Sequence, residues 1–118
     1  MCNVRGLGLD LCQVDRMRKH LEGRFMEKHL TEREAAYVRS RGAQAAESLA
    51  GIWAAKEAAL KALGTGIAFS LQDVEVLHSP TGQPTIQLHG RAAALGGSFL
   101  VSITHDGGMA AAVAVWIK

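Results

Sequence analysis

The sequence of residues 53–66 is WAAKEAALKALGTG, and it predicts the end of the longest helix in the chain. Alanine, leucine and lysine all favour a helix, and a glycine such as Gly64 commonly ends one. We expect this helix to span about residues 47–63. Its large apolar side chains fall on one broad face: Leu49, Ile52, Trp53, Leu60 and Leu63.

Strand and helix signals precede the long helix. Residues 3–11, NVRGLGLDL, alternate leucine with small residues, which is typical of a strand. A basic helical segment follows, with three apolar residues at helical spacing: Val14, Met17 and Leu21. Thr31 and Glu34 then form a capping box, which predicts a helix that begins at Glu32 and ends near Gly42.

The sequence after the long helix predicts four strands. Residues 73–78 and 85–90 flank a turn rich in proline and glycine, and residues 99–105 and 109–117 predict a hairpin across Asp-Gly-Gly. A strand, then helices, then a run of strands indicates the α+β class, with an antiparallel sheet packed on the long helix. We expect a single domain over 1–118, because the chain is too short for two and has no linker.

The composition excludes several classes of protein. With 48% hydrophobic and 20% charged residues, the chain is ordinary for a soluble protein, and its apolar runs are too short to span a membrane. Only 5% of residues are aromatic, so the core is light and would benefit from oligomerisation. A net charge of +2 does not predict a nucleic-acid partner. Cys2 and Cys12 lack metal-site spacing, which favours reduced thiols in a cytoplasmic protein.

Two carboxylates are the first candidate site residues. Asp10 is expected at the end of the first strand, where a turn or a helix cap is its commonest role. Glu57 shares a helix face with Trp53 and Lys61, and a surface ion pair with Lys61 would explain it. Together, however, two carboxylates form a minimal Mg²⁺ site that substrate phosphates can complete, and Lys61 would add a positive charge beside those phosphates.

Three further features have both an ordinary and a functional interpretation. A glycine turn could present backbone amides to an anion, although a helix C-cap is the commoner role for such a turn: Gly64, Thr65 and Gly66. His105 lies at a hairpin, where it is either a surface residue or a phosphate and acid–base group. The basic run is either a solvated helix side or a docking surface for an acidic partner: Arg16, Arg18, Lys19, Arg24 and Lys28.

Three segments of the chain resemble a known family in order and spacing. They are GLGLDL, LAGIWAAKEAALKALGTGI and SITHDGGMAAAVAV. They are similar to segments of the holo-(acyl-carrier-protein) synthases, the short 4′-phosphopantetheinyl transferases, and the similarity covers essentially the whole chain. The resemblance implies transfer of 4′-phosphopantetheine from coenzyme A to a serine of apo acyl carrier protein, with release of adenosine 3′,5′-bisphosphate.

The resemblance also implies roles for individual residues. Asp10 and Glu57 match the carboxylates that hold Mg²⁺ on the coenzyme A diphosphate, and Lys61 matches the lysine that contacts its phosphates. His105 matches a histidine that lines the coenzyme A site, and Arg16 matches the arginine that docks the carrier protein. The turn beside the nucleotide falls on Gly64, Thr65 and Gly66.

The resemblance finally implies a homotrimer with active sites between subunits, which agrees with the light core. One position departs from the family, because Ile52 stands where an arginine commonly contacts the adenosine end of coenzyme A. We therefore expect weaker binding of the nucleotide 3′-phosphate. Two alternatives remain open from sequence: a non-catalytic module that binds coenzyme A or a carrier protein, and a small RNA-binding domain. The residue that deprotonates the carrier serine also remains open.

Overall fold

Five strands and five α-helices form the described part of the chain, residues 3–64 and 69–118 of a computed structural model. The strands are β1 (Val4–Gln13), β2 (Val74–His78), β3 (Pro84–Leu88), β4 (Ser98–Asp106) and β5 (Met109–Ile117). The helices are α1 (Val14–Arg18), α2 (Phe25–His29), α3 (Glu32–Arg39), α4 (Ala45–Leu63) and α5 (Gly90–Ala93). No helix among these described residues combines the length and the apolar character needed to cross a membrane.

The strands form two antiparallel sheets. The larger sheet has the strand order β1-β5-β4, and β2 pairs with β3 in a separate sheet of two. In the predicted hairpin, Asp106 pairs with Met109 across Gly107 and Gly108, whose φ angles are 57° and 79°. Two consecutive positive φ angles define the type I′ turn that matches the twist of paired strands. The predicted α+β class, with antiparallel strands beside a long helix, is confirmed.

The close contact between β1 and α4 explains the glycines of the first strand. A Cβ at Gly6 would lie 1.7 Å from the Ala62 carbonyl oxygen, and one at Gly8 would lie 1.8 Å from the Ala58 carbonyl oxygen. Both distances are far below van der Waals contact, so only glycine permits this approach. The glycines therefore face α4, and the leucines that alternate with them face away from it.

The long helix is buried on more sides than the sequence predicts. After Ala45, its alanines are buried as completely as its larger apolar residues, and Lys56 is fully buried as well. The helix packs on β1 and β5 on one side, and on α1, α3 and β2 elsewhere. Because small side chains allow neighbours to approach from several directions, the alanine-rich composition places α4 at the centre of the core.

The outer face of the larger sheet is uncovered and, apart from Ser102 and Thr104 of β4, largely apolar at its centre. Leu7, Leu9 and Leu11 of β1 are 66%, 62% and 63% exposed, and Leu100 of β4 is 62% exposed. No other segment of the described chain lies over these side chains. A contiguous apolar face of this kind commonly marks a surface that binds another protein.

The helices before α4 differ from the prediction in two places. The basic segment contains two short helices, α1 and α2, on either side of Gly23, whose φ of 80° is a conformation that favours glycine. The second of them is supported by aromatic contacts, with the Phe25 ring 5.0 Å from the Trp53 ring. The predicted capping box of α3 is confirmed, but α3 ends at Arg39, three residues before Gly42.

Candidate active site

Asp10 is an internal residue of β1, so its predicted place at the end of the strand is wrong. It pairs with Ala112 of β5, and β1 continues to Gln13. Asp10 alternates with the glycines of β1, so its side chain points toward α4 and is 19% exposed. There its Oδ1 accepts a hydrogen bond from Lys61 Nζ at 3.0 Å, and the same ammonium donates to the Leu9 carbonyl oxygen at 2.9 Å.

Glu57 lies on α4 one turn before Lys61, yet the two do not form the predicted surface ion pair. Lys61 pairs with Asp10 instead, and within the described residues Glu57 takes part in no ion pair. Burial raises the pKa of Glu57, the negative charge of Asp10 raises it further, and Lys61 opposes both effects. The structure thus brings together two carboxylates that repel each other and one lysine, which is the trio suggested by the sequence.

The chemistry of this trio fits a divalent cation that a substrate helps to bind. Magnesium takes one or two protein carboxylates and fills its other positions with water and phosphate oxygens. Asp10 and Glu57 supply those carboxylates, and a cation between them would relieve the repulsion that raises the Glu57 pKa. No group of three metal-binding side chains occurs within residues 3–64 and 69–118, so an all-protein cage is not available there.

Glu57 and Lys61 open onto a cavity of about 510 Å³. One part of its wall is charged or polar, and another part is apolar. Its lining consists of Lys28, His29, Glu57, Leu60, Lys61, Phe69, Ser70 and Leu71. Such a combination of an apolar wall and a few charged groups is typical of a site for a small ligand.

Gly64 has the conformation of a helix C-cap. Its φ is 73°, and its amide donates to the carbonyl oxygens of Leu60 and Lys61 at 3.2 and 3.1 Å. The ordinary interpretation of this glycine therefore accounts for its geometry. Thr65 and Gly66, the other predicted members of the turn, lie outside the described residues.

His105 lies in a different cavity from Glu57 and Lys61. Its Nε2 is 2.8 Å from the Glu47 carbonyl oxygen, near the start of α4. A Cβ at Gly51 would lie 3.1 Å from the same nitrogen, so the absence of a side chain at Gly51 leaves room for the His105 ring beside α4. Gly51 and Lys61 are ten residues apart, which is about 15 Å along a helix.

The His105 cavity has a volume of about 220 Å³ and contains the position that departs from the family. Ile52 is fully buried and lines this cavity. Arg41 lines it too, and its guanidinium carbon lies 5.5 Å from the centre of the Tyr37 ring. Arg16, the predicted docking residue, is exposed on α1, where Val14 and Met17 face the core.

Lys56 and Glu34 form a buried ion pair that the local sequence pattern does not predict. Both side chains are 0% exposed, and Lys56 Nζ lies 2.7 Å from Glu34 Oε1. Burial lowers the pKa of Lys56, and the charge of Glu34 opposes that effect. The capping box identifies one role of Glu34, but no local pattern shows that a lysine next to Glu57 points into the core.

The fold and the trio define a class of protein, and a comparison of sequences identifies it. The profile of the 4′-phosphopantetheinyl transferase superfamily matches residues 6–114, so the chain belongs to this superfamily of enzymes. A holo-[acyl-carrier-protein] synthase of Treponema denticola is 40% identical, and the match covers 95% of this chain and 97% of the relative. A synthase of the same name from Clostridium perfringens is 38% identical over 95% of this chain and 92% of its own.

Solved structures of similar proteins have the same fold. A holo-(acyl-carrier-protein) synthase of Bacillus anthracis, crystallised in complex with CoA (3′,5′-ADP), has a TM-score of 0.83 and 34% identity, covering 98% of this chain and 97% of that one. The synthase of Helicobacter pylori in complex with coenzyme A has a TM-score of 0.81 and 31% identity, covering 95% and 99%. The family resemblance seen in the three sequence segments is therefore confirmed.

Proposed function

We propose that this chain is a Mg²⁺-dependent holo-(acyl-carrier-protein) synthase. It transfers 4′-phosphopantetheine from coenzyme A to a serine of apo acyl carrier protein and releases adenosine 3′,5′-bisphosphate. The observation that carries the proposal is the trio of Asp10, Glu57 and Lys61 beside a ligand-sized cavity. The names of the similar proteins and the coenzyme A in two of their structures support it.

In this reaction the serine hydroxyl oxygen attacks the β-phosphorus of coenzyme A. A new oxygen–phosphorus bond forms, the bond from that phosphorus to the bridging oxygen breaks, and adenosine 3′,5′-bisphosphate leaves with the bonding electrons. Magnesium held by Asp10 and Glu57 would neutralise the diphosphate charge. The Lys61 ammonium would stabilise the charge that builds on the phosphate oxygens. Glu57 would accept the serine proton, either directly or through a water molecule.

We further propose that residues 1–118 act as one domain within a homotrimer whose active sites lie between subunits. The uncovered leucines of β1 supply an apolar surface for such an assembly. In addition, Glu57 and His105 line two different cavities of one chain. A coenzyme A molecule that touches the Glu57 cavity of one subunit and the His105 cavity of the next would use both residues.

At the nucleotide end, Ile52 cannot supply the positive charge that the family commonly has. Arg41 and His105 line the same cavity as Ile52 and would contact the 3′-phosphate in its place. The turn at residues 64–66 would lie beside the nucleotide. Arg16 on exposed α1 would dock the acidic carrier protein in the cytoplasm, in an association that weakens as salt increases.

One experiment separates an enzyme from a non-catalytic binding module. The protein is incubated with apo acyl carrier protein, coenzyme A and Mg²⁺, and the carrier is analysed by mass spectrometry. We expect the mass of the carrier to increase by that of 4′-phosphopantetheine. The rate of this modification should fall at least about 100-fold with Asp10→Asn or Glu57→Gln. Glu32→Gln, an exposed change on α3, serves as the matched control and should remain active.

The negative outcomes have distinct meanings. No modification of the carrier with Mg²⁺ or another divalent cation contradicts the proposed activity, and coenzyme A binding without transfer would then favour the module. Full activity of both carboxylate variants contradicts the assigned site but leaves the activity intact. Full activity in excess chelator contradicts the metal dependence.

A further inference from the structure

A buried lysine next to the candidate metal ligand has three oxygen acceptors. Lys56 Nζ lies 2.7 Å from Glu34 Oε1, 2.7 Å from the Leu71 carbonyl oxygen and 2.7 Å from the Val74 carbonyl oxygen. An ammonium group has three hydrogens to donate, so these three contacts use all of them. The side chain is fully buried, and water cannot replace any of the three acceptors.

The partner carboxylate extends the same network. Glu34 Oε1 also accepts from the Thr31 amide at 2.8 Å, and Glu34 Oε2 accepts from the Val76 amide at 2.7 Å. One ion pair thus connects the start of α3, the middle of α4 and the first residues of β2. It also reaches the 3₁₀ turn Leu71–Asp73, which leads into β2.

The network ends at the wall of the candidate active site. Leu71, whose carbonyl oxygen accepts from Lys56, lines the same cavity as Glu57 and Lys61. Consecutive residues of a helix point about 100° apart. Lys56 can therefore reach into the core while Glu57 faces the cavity, and a shift of the Leu71 backbone would change the shape of the space beside Glu57.

Stability alone is a weak reason for such a pair. Replacing a buried ion pair by apolar residues of similar volume is often neutral or stabilising. What an apolar residue could not do is hold two backbone carbonyl groups at fixed positions. The contacts to Leu71 and Val74 are thus the feature that distinguishes this lysine from ordinary core packing.

We propose that Lys56 is a positioning residue, which fixes the 3₁₀ turn Leu71–Asp73 on α4 and thereby sets the wall of the cavity beside Glu57. The inference rests on the proposed function, because that cavity must admit the groups that coenzyme A and the carrier bring to the reacting phosphorus. Lys56 touches neither substrate. It acts through Leu71.

The test replaces Lys56 by methionine, which keeps the unbranched chain as far as Cε and removes the ammonium donors. We expect Lys56→Met to raise the KM for coenzyme A or for the carrier about 10-fold, while kcat at saturation stays within about 3-fold of wild type. A role in stability alone would lower the active fraction, and hence kcat, without changing either KM. Leu71→Ala should raise the same KM, and the double variant should add little to either single change.

Hydrogen–deuterium exchange supplies a readout that needs no activity. In Lys56→Met, the amides of residues 71–76 should exchange at least about 10-fold faster, while those of β1 and β5 keep their wild-type rates. Lys118→Met removes an exposed lysine and serves as the matched control. If Lys56→Met does not fold, the same measurements are made on Lys56→Met with Glu34→Gln, which leaves no unpaired buried charge.

The outcomes separate this inference from the proposed activity. Absence of transfer by the wild-type protein would contradict the activity, and local exchange at residues 71–76 would still decide whether Lys56 positions this segment. Unchanged KM values in a folded variant of an active enzyme would overturn the positioning role. Unchanged exchange at residues 71–76 would overturn it as well.

Discussion

Lys61 Nζ lies 3.0 Å from Asp10 Oδ1, so the ammonium of α4 pairs with the carboxylate of β1. Glu57, one helical turn away, keeps a raised pKa because of its burial and the nearby charge of Asp10. Two carboxylates and one lysine leave an excess of negative charge at this site. A divalent cation would balance that charge, and Lys61 would then be free to turn toward a bound phosphate.

The first prediction concerns this competition between Lys61 and a metal ion. Lys61→Met removes a positive charge next to Asp10, so Mg²⁺ should bind the free protein about 3- to 10-fold more tightly. The same change removes the cation that faces the phosphates, so kcat should fall at least about 100-fold. Calorimetric titration with Mg²⁺ and the carrier modification assay measure the two effects separately.

The control for this prediction is Lys61→Arg, which keeps the charge. Its Mg²⁺ affinity should stay near that of the wild-type protein, and its kcat should exceed that of Lys61→Met. Weaker Mg²⁺ binding by Lys61→Met would show that the lysine supports the metal site instead of competing with it. An unchanged kcat would remove Lys61 from the proposed reaction.

The second prediction concerns the glycines of β1. Gly8→Ala would place a Cβ 1.8 Å from the Ala58 carbonyl oxygen, so α4 and β1 must separate. We expect the free energy of unfolding to fall by about 3 kcal/mol or more, because the obstacle is backbone and cannot rotate away. Urea denaturation followed by circular dichroism measures the change.

Gly42→Ala is the matched control for this substitution. Its added Cβ would meet nothing within 4 Å, and only the positive φ of 57° opposes it. The cost should therefore be about 1–2 kcal/mol. Gly8 itself has no positive φ, so equal losses in the two variants would contradict close packing against α4 as the reason for this glycine.

How much the sequence predicts depends on how local each feature is. The long helix, the hairpin across Gly107 and Gly108 and the capping box of α3 follow from neighbouring residues, and all are confirmed. The position of Asp10 within its strand does not follow from neighbouring residues, because β1 extends beyond Asp10 by pairing with β5, which is distant in sequence. The local sequence around Asp10 predicts the end of a strand that pairing with β5 continues.

The buried pair of Lys56 and Glu34 could not be predicted for a similar reason. The neighbouring residues predict that a lysine at this position of the helix faces solvent, since burial of an unpaired ammonium is costly. Its partners lie 22 residues before it and 15 and 18 residues after it, on other elements. Only the folded chain brings them together.

The third prediction concerns stability in acid. Burial alone would raise the pKa of Glu75, but hydrogen bonds from Arg33, Thr31 and His89 outweigh it and lower the pKa to about 2. A carboxyl group with a lowered pKa in the folded state stabilises the protein above its ordinary pKa. That contribution, about 3 kcal/mol, should be lost as the pH falls from about 4.5 to about 2.

Glu75→Gln tests the assignment of this pH dependence. The variant should be less stable than the wild-type protein at pH 6, and the difference in unfolding free energy should shrink by about 3 kcal/mol toward pH 2. Urea denaturation at several pH values measures it. A difference that stays constant over this range would contradict the lowered pKa of Glu75.

The fourth prediction concerns the uncovered face of the larger sheet. If Leu9 packs against another subunit, Leu9→Glu would bury an unpaired carboxylate at that interface, which is costly. The fold of a single chain would lose less stability, because Leu9 is already 62% exposed there. Light scattering should give about three times 12.6 kDa for the wild-type protein and one chain for the variant. Carrier modification should fall at least about 10-fold, because each proposed site needs two subunits.

Ala36→Glu places the same charge on an exposed position of α3 and should remain trimeric and active. A trimeric Leu9→Glu would contradict the proposed interface at β1, and a wild-type monomer with full activity would contradict the shared sites as well.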